Sequence, residues 1–442
     1  MTEFAQNRLS PADAMNFAAI LAGIMGVVLT AFLGGMPALL LVFAGFLAAR
    51  IYQYPQEVIV TGPLFLLAVN VFFPSVARFD AGNTTEPWEM YYWACGILLI
   101  TLAALLRLKP AAVLRLPKSL LIFLLVSLVA SIYGIIRGNE PSYIFRQWFG
   151  SLLFGAYFLF ATNYGNEEYF FRKIRAYAVP CMLAFVVYYV AVFSQYGVHK
   201  EITTLGTQGG ILATLFAAKS GWRWWSSAAI LVLGPVLLVE RRSLAAFALS
   251  LVLICAWVTS SKFWKWSLFV LSGFLVVLSL APTYVELISD AAVGSSTVDR
   301  ILPDGARDAS SIEDRSLQLV EAGFIVVNSP LLGNGMGSML AWQSAVRGQM
   351  EQAYVDNGWA YVATKMGLCG LIAFIWFVAG LIRRMNAASM PLSVCLLSTL
   401  LIVMWAEPVF FQFTTSPFMG VVAGLLWGSP QTVSHLQTVC TG

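Results

Sequence analysis

Three places in the sequence hold residue types that could do chemistry at the edge of an apolar environment. The first is "LLVERRSLAAFALSLVLI", where Glu240, Arg241 and Arg242 sit between two apolar runs. The second is Arg315 in "SIEDRSLQLVEAGFIVV", followed by the glycine-rich "PLLGNGMGS" with Gly333 and Gly335. The third is Asp356-Asn357 in "QAYVDNGWAYVATKMGLCGLIAF", where a polar segment turns apolar. Arginine suits phosphate because its planar fork binds two oxygens and its charge does not titrate away. Glycine-rich backbone can bring amides close to an oxyanion. A carboxylate near arginines can take a proton or steer an acceptor hydroxyl.

Each place also has a plainer reading. Glu240 can pair with an arginine across a tight hairpin, and Arg315 can be a solvated helix residue. Asp356, Asn357 and Gly358 are all good helix starters, so this stretch can be an N-cap, and capping and catalysis can coexist. Arg146, early in an apolar run, is a further candidate for the site or else a structural or lipid-headgroup arginine. Glu407-Pro408 and Gln412 fit a helix break facing a cavity, or a simple connection. His199 and His435 stand outside all of these groups, and there is no histidine pair for a metal, no Ser-His-Asp order and no Walker loop.

The elements that must position these residues follow from composition. The chain has 442 residues, 59% of them hydrophobic and 11% charged, with mean hydropathy +0.78. A soluble domain is about 25% charged, so a chain this apolar belongs in a membrane. No basic, aromatic-interleaved soluble patch suggests nucleic-acid binding. The 6 cysteines are scattered without a CxxC and describe no disulfide or metal framework. The first apolar run has no A-x-A cleavage signal and reads as a retained helix.

Apolar runs long enough to span occur near 15-33, 36-52, 57-77, 89-107, 119-137, 143-162 and 174-195. They resume near 224-240, 243-260, 265-283, 358-382, 391-407 and 411-428, with a marginal run at 205-218. The expected fold is an all-α polytopic membrane protein of about 12 to 14 transmembrane helices. The basic residues Arg50, Arg107, Lys109, Arg115, Lys118, Arg172, Lys173, Arg175, Lys219, Arg223, Lys262, Lys265, Arg383 and Arg384 fall on alternate turns. That excess marks those turns, and both termini, as cytoplasmic. Residues 284-355 then form one long polar segment facing outward. Inside it a helix is expected from a cap at Ser310 or Ser311, ending before Pro330 and the glycines.

The three segments, in this order, resemble the Wzy-C superfamily of O-antigen ligases and O-antigen or exopolysaccharide polymerases. The likeness is carried by "VERRSLAAFALSLVL", "EDRSLQLVEAGFIVVNSPLLGNGMGSM" and "YVDNGWAYVATKMGLCGLIAF", and covers roughly residues 205-380. It aligns Arg242 and Arg315 with the family's two arginines. Where the ligase pattern has His-Asn this chain has Asp356-Asn357, a pair familiar among polymerase-like members. The resemblance implies a glycosyltransferase bundle of GT-C-like type in the bacterial inner membrane, with a scaffold over 1-204, a catalytic region over 205-382 that includes a periplasmic loop at 284-355, and C-terminal helices and a cytoplasmic tail over 383-442.

The implied donor is a glycan on undecaprenyl pyrophosphate, and the acceptor a sugar hydroxyl. Arg242, Arg315 and Asp356 would be catalytic, with Arg241, Asn357, Arg146, Gly333 and Gly335 binding substrate. No metal or cofactor is implied. Membrane lipids and a chain-length regulator are the further partners. A ligase transferring glycan to lipid A-core is the alternative of the same chemistry. A transporter or flippase of lipid-linked sugar is the alternative of another class, although no repeated halves are evident in the chain.

Overall fold

The computed structural model describes residues 35–72, 87–109, 112, 116–196, 203–237, 241–259, 305–344, 348–385 and 389–428. The expected spans at 15-33 and 265-283 lie outside the described residues, as do Glu240 and both histidines. The first nine helices are α1 (Gly35–Gln53), α2 (Val58–Phe72), α3 (Pro87–Leu105), α4 (Lys118–Ile136), α5 (Pro141–Tyr164), α6 (Glu167–Tyr196), α7 (Thr203–Ala217), α8 (Trp222–Leu237) and α9 (Arg241–Thr259). Then come α10 (Gly305–Asn328), an antiparallel hairpin of β1 (Leu340–Ser344) and β2 (Gly348–Gln352), α11 (Gly358–Arg384), α12 (Met390–Ser398) and α13 (Ser416–Gly428). The protein is mostly helical, and α4, α5 and α11 are long and apolar enough to cross a membrane.

α4 turns large apolar side chains outward and packs small ones inward. Its buried side is small or polar at Ser119, Ser127, Ala130, Ser131 and Gly134. Its exposed side is Leu121, Ile122, Leu125, Leu128, Val129 and Ile132. Small residues let helix backbones approach where the hydrophobic effect cannot sort the faces. The same device joins α5 to α13. A Cβ on Gly420 would come within 2.5 Å of the Phe154 carbonyl, and one on Gly424 within 2.4 Å of that of Phe158. Phe154 and Phe158 in turn meet Phe377 of α11 edge-on. One continuous core therefore runs from α1 to α13, and the three regions expected from sequence share it.

Two helices are broken, α11 at a glycine and α12 at Glu407-Pro408, one of the two readings the sequence offers there. α11 leaves helical geometry at Gly367, with φ 64° and ψ −164°. A Cβ there would lie 2.3 Å from the Leu331 carbonyl, so the site requires glycine both for its backbone and for its space. The amides that start the second half are satisfied across the break, Leu368 donating to the Pro330 carbonyl at 2.7 Å and Cys369 to that of Leu331 at 3.3 Å. α12 continues through a π turn, Thr399–Val403, and ends at Ala406. Glu407 then takes an extended conformation before Pro408.

Where it is described, the long polar segment forms a helix, a glycine-rich turn and a hairpin. Its helix begins at Gly305, earlier than the expected caps, and Ser310 and Ser311 lie inside it. Ala306, Arg307 and Ala309 are strong helix formers and carry the helix N-terminal to those serines. It ends at Asn328, ahead of Pro330 as expected, and packs on β1 and α11.

Candidate functional site

The start of α11 divides labour between two adjacent residues. Asn357 is the N-cap, its Oδ1 accepting from the Trp359 amide at 2.9 Å and the Ala360 amide at 3.0 Å. That leaves the Asp356 carboxylate out of the cap. It lies 3.6 Å from Nε of Arg315, the two side chains being 39% and 51% exposed. Arg315 and Gln318 are three apart on α10 and share a face. Gln318 Oε1 accepts from the Asp356 amide at 3.3 Å, and its Nε2 donates to Gln352 at 3.3 Å. One helix face thus sets both the arginine and the backbone that carries the acid.

Beneath this lip lie buried polar and aromatic groups. Gln147 of α5 is fully buried, accepts from the Gly337 amide at 2.6 Å and donates to the Ala353 carbonyl at 2.8 Å. It ties the glycine loop to the strand end three residues before Asp356. Arg146, also buried, holds its guanidinium 5.3 Å from the centre of the Tyr143 ring. Tyr354 stacks on Tyr361, and Tyr361 on Phe411.

The glycine loop is welded to the helices. Gly333, at φ 60°, donates its amide to the Ser329 carbonyl at 2.9 Å, so that amide is not offered to a ligand. Asn334 donates to Thr364, Met336 to Ala130 and Gly337 to Gln147, and these amides too are engaged. Gly335, at φ 78°, lies against Gly134, where a Cβ would come within 2.8 Å. Asn139 Nδ2 reaches the Asn334 and Met336 carbonyls at 3.0 and 2.9 Å. From α11 the buried Lys365 ammonium donates to the Ser338 carbonyl and, at 3.1 Å, to its hydroxyl. The glycines let this loop lie flush on α4, α5 and α11, which fixes the height of the hairpin above them.

A second carboxylate lies at the same end. Glu407 is only 5% exposed. Its Oε2 accepts from Thr207 at 2.8 Å and its Oε1 from Gln412 at 3.1 Å. A Cβ on Gly358 would come 3.1 Å from Pro408, so the Glu407-Pro408 break packs directly under the Asn357 cap. One turn along α7 from Thr207, Gly210 lies against Ser243 of α9. The start of α9 is therefore at this end of the bundle, and Arg241 and Arg242 are its first two residues. The side chains of those two arginines lie outside the described residues.

The structure brings Arg315, Asp356 and Asn357 into one lip, and buries Arg146 on α5 beside Gln147. Gln147, Gln318, Thr207 and Lys365 are polar positions the sequence reading passed over. Gln147 carries the clearest signal, an amide beside an arginine inside an apolar run, where burial demands partners. Among the described residues no group of three His, Cys, Asp or Glu could hold a metal ion. No protein-family model matches the chain, and no curated protein matches it. The likeness to the ligase and polymerase superfamily rests on the three quoted segments.

Proposed function

We propose that the chain is a multi-pass glycosyltransferase of the bacterial inner membrane that builds surface polysaccharide, most like a Wzy-type polymerase. Both termini are cytoplasmic in this reading, and the Arg315–Asp356 lip faces the periplasm. An acceptor sugar hydroxyl attacks the anomeric carbon of a glycan carried on undecaprenyl pyrophosphate. The new C–O bond forms as the bond to pyrophosphate breaks, with inversion, and the lipid pyrophosphate leaves. Asp356 takes the hydroxyl proton. Charge grows on the leaving pyrophosphate, and Arg315 and Arg242 stabilise it as fixed cations. Asn357 holds the start of α11 so that the acid keeps its position.

The observation that supports this reading best is the 3.6 Å approach of Arg315 to Asp356 while Asn357 alone caps the helix. The test is the glycan profile of a strain lacking the gene. The polymerase reading expects single repeat units on lipid A. Polymer accumulating on undecaprenyl pyrophosphate would make the chain a ligase to lipid A-core, and an unchanged profile would overturn glycan transfer.

A further inference from the structure

α10 carries an apolar face that is exposed among the described residues. Leu319, Val320, Phe324 and Val327 fall within one side of the helix at its 3.6-residue period, and all are exposed, Val327 by 77%. Leu331 continues the stripe just past the helix end. The opposite side, Gln318, Ala322 and Ile325, is buried toward β1 and α11. Soluble monomers seldom expose so much contiguous apolar surface. Charge is divided along the same helix. Arg307, Asp308, Glu313, Asp314, Arg315 and Glu321 precede Ala322, and no charged residue lies between Ala322 and Leu332.

The stripe runs into a second apolar surface. The Pro330 and Leu331 carbonyls cap the second half of α11, so the end of α10 is fixed to α11 at the Gly367 break. Beyond that break α11 exposes Leu368, Ile372, Ile375 and Trp376. These belong to a helix long and apolar enough to cross a membrane. These backbone hydrogen bonds set Leu331 beside Leu368, so the two exposed faces adjoin at the break.

We infer that α10 is an interfacial helix. Its second half lies in the outer lipid leaflet with Phe324, Val327 and Leu331 against acyl chains, and its charged first half stands at headgroup level. Arg315, near the middle, is then at the depth where a lipid carries its phosphate, and a lipid-borne anion reaches it without leaving the leaflet. This rests on the membrane reading of the chain but not on the glycan chemistry.

The test places single spin-labelled cysteines at Phe324 and Val327, with Ile372 as lipid reference and Glu351 as water reference. The chain is full length, free of its 6 native cysteines, and reconstituted in phosphatidylcholine–phosphatidylglycerol nanodiscs. Collisions with oxygen, which partitions into lipid, are compared with those of a water-soluble nickel chelate. Positions 324, 327 and 372 are expected to favour oxygen several-fold, and position 351 to favour nickel. Nickel access at 324 and 327 with oxygen access at 372 would overturn the inference alone. Loss of oxygen access at 372 as well would overturn the membrane reading with it. Shielding of 324 and 327 from both reagents would mean that protein covers the face, which also overturns it. Benzoylphenylalanine at positions 324 and 327 of the otherwise native chain repeats the comparison without cysteine replacement. Adducts of phospholipid mass support the inference, and adducts of protein mass contradict it.

Discussion

Asp356 and Glu407 are carboxylates brought to one end of the bundle by the packing of Gly358 on Pro408, yet their surroundings differ throughout. Asp356 is part-exposed, outside the helix cap, and faces Arg315 at a distance longer than a hydrogen bond. Glu407 is buried, and each of its oxygens accepts from a neighbour on a different segment. An acid bonded like Glu407 holds a fold together, because exchanging its partners would strand donors in a dry interior. An acid placed like Asp356 can exchange its arginine for a ligand at little cost, since an exposed ion pair is worth about 0–1 kcal/mol. The contrast predicts that one acid matters for turnover and the other for folding.

The largest effects should separate the two on that axis. Arg315→Ala and Asp356→Ala are expected to lower glycan transfer by at least about 100-fold, the scale on which a charge-stabilising or proton-accepting group acts. Neither should shift the melting temperature of the detergent-purified protein appreciably. Glu407→Ala is expected to do the reverse and cost about 2–3 kcal/mol of stability by removing the acceptor of Thr207 and Gln412. Glu407→Gln, which keeps one acceptor oxygen, should recover much of that loss in the same melting experiment. If Glu407→Gln melts like the native chain yet abolishes transfer, the division of roles between the acids is wrong.

Smaller effects sharpen it. Asn357→Ala should cost about 1 kcal/mol through loss of the cap, and Asn357→Ser should restore it. A melting temperature unchanged by Asn357→Ala would mean that the cap contributes nothing. The smallest effect lies at the other end of the bundle, where Lys219 Nζ donates to Glu168 at 2.9 Å. That hydrogen bond, and the ammonium's charge, hold Glu168 below the usual carboxylate range. A depressed carboxylate contributes stability above its unfolded pKa of about 4.3 and loses it as pH falls through the folded value. Glu168 is largely exposed, so Lys219→Met should flatten the acid side of the stability curve only slightly, by well under about 1 kcal/mol. A large loss at neutral pH would mean that Lys219 does more than pair with Glu168.

Much of this fold was legible because apolar runs are a strong signal for helices, and α1 to α9 fall close to the expected runs. The break at Gly367 was hidden because "TKMGLCGLIAF" has no proline to announce it, and only a tertiary contact, the Leu331 carbonyl, forces the change. The β1–β2 hairpin was missed because "LAWQS" and "GQMEQ" are short and lack the β-branched residues that mark strands. At the site, "VDNG" announced a helix start but not which residue would cap it. That choice depends on where Oδ1 of Asn357 points and on Arg315, 41 positions away in sequence, standing opposite Asp356. Gln147 could be noticed as a costly amide in an apolar run, but its partners Gly337 and Ala353 belong to a segment roughly 200 residues distant.

If Arg315 and Asp356 act as one unit in glycan transfer, a double-mutant comparison will show it. Native chain, Arg315→Ala, Asp356→Asn and the double variant would be reconstituted in proteoliposomes with an undecaprenyl-pyrophosphate-linked glycan, and chain extension read on gels. Asp356→Asn keeps the shape and removes the proton acceptor. Each single variant is expected to lose extension by at least about 100-fold, and the double to be no worse than the poorer single, as for residues acting together. Native-length polymer from either single variant, with the protein folded in the membrane, would contradict it.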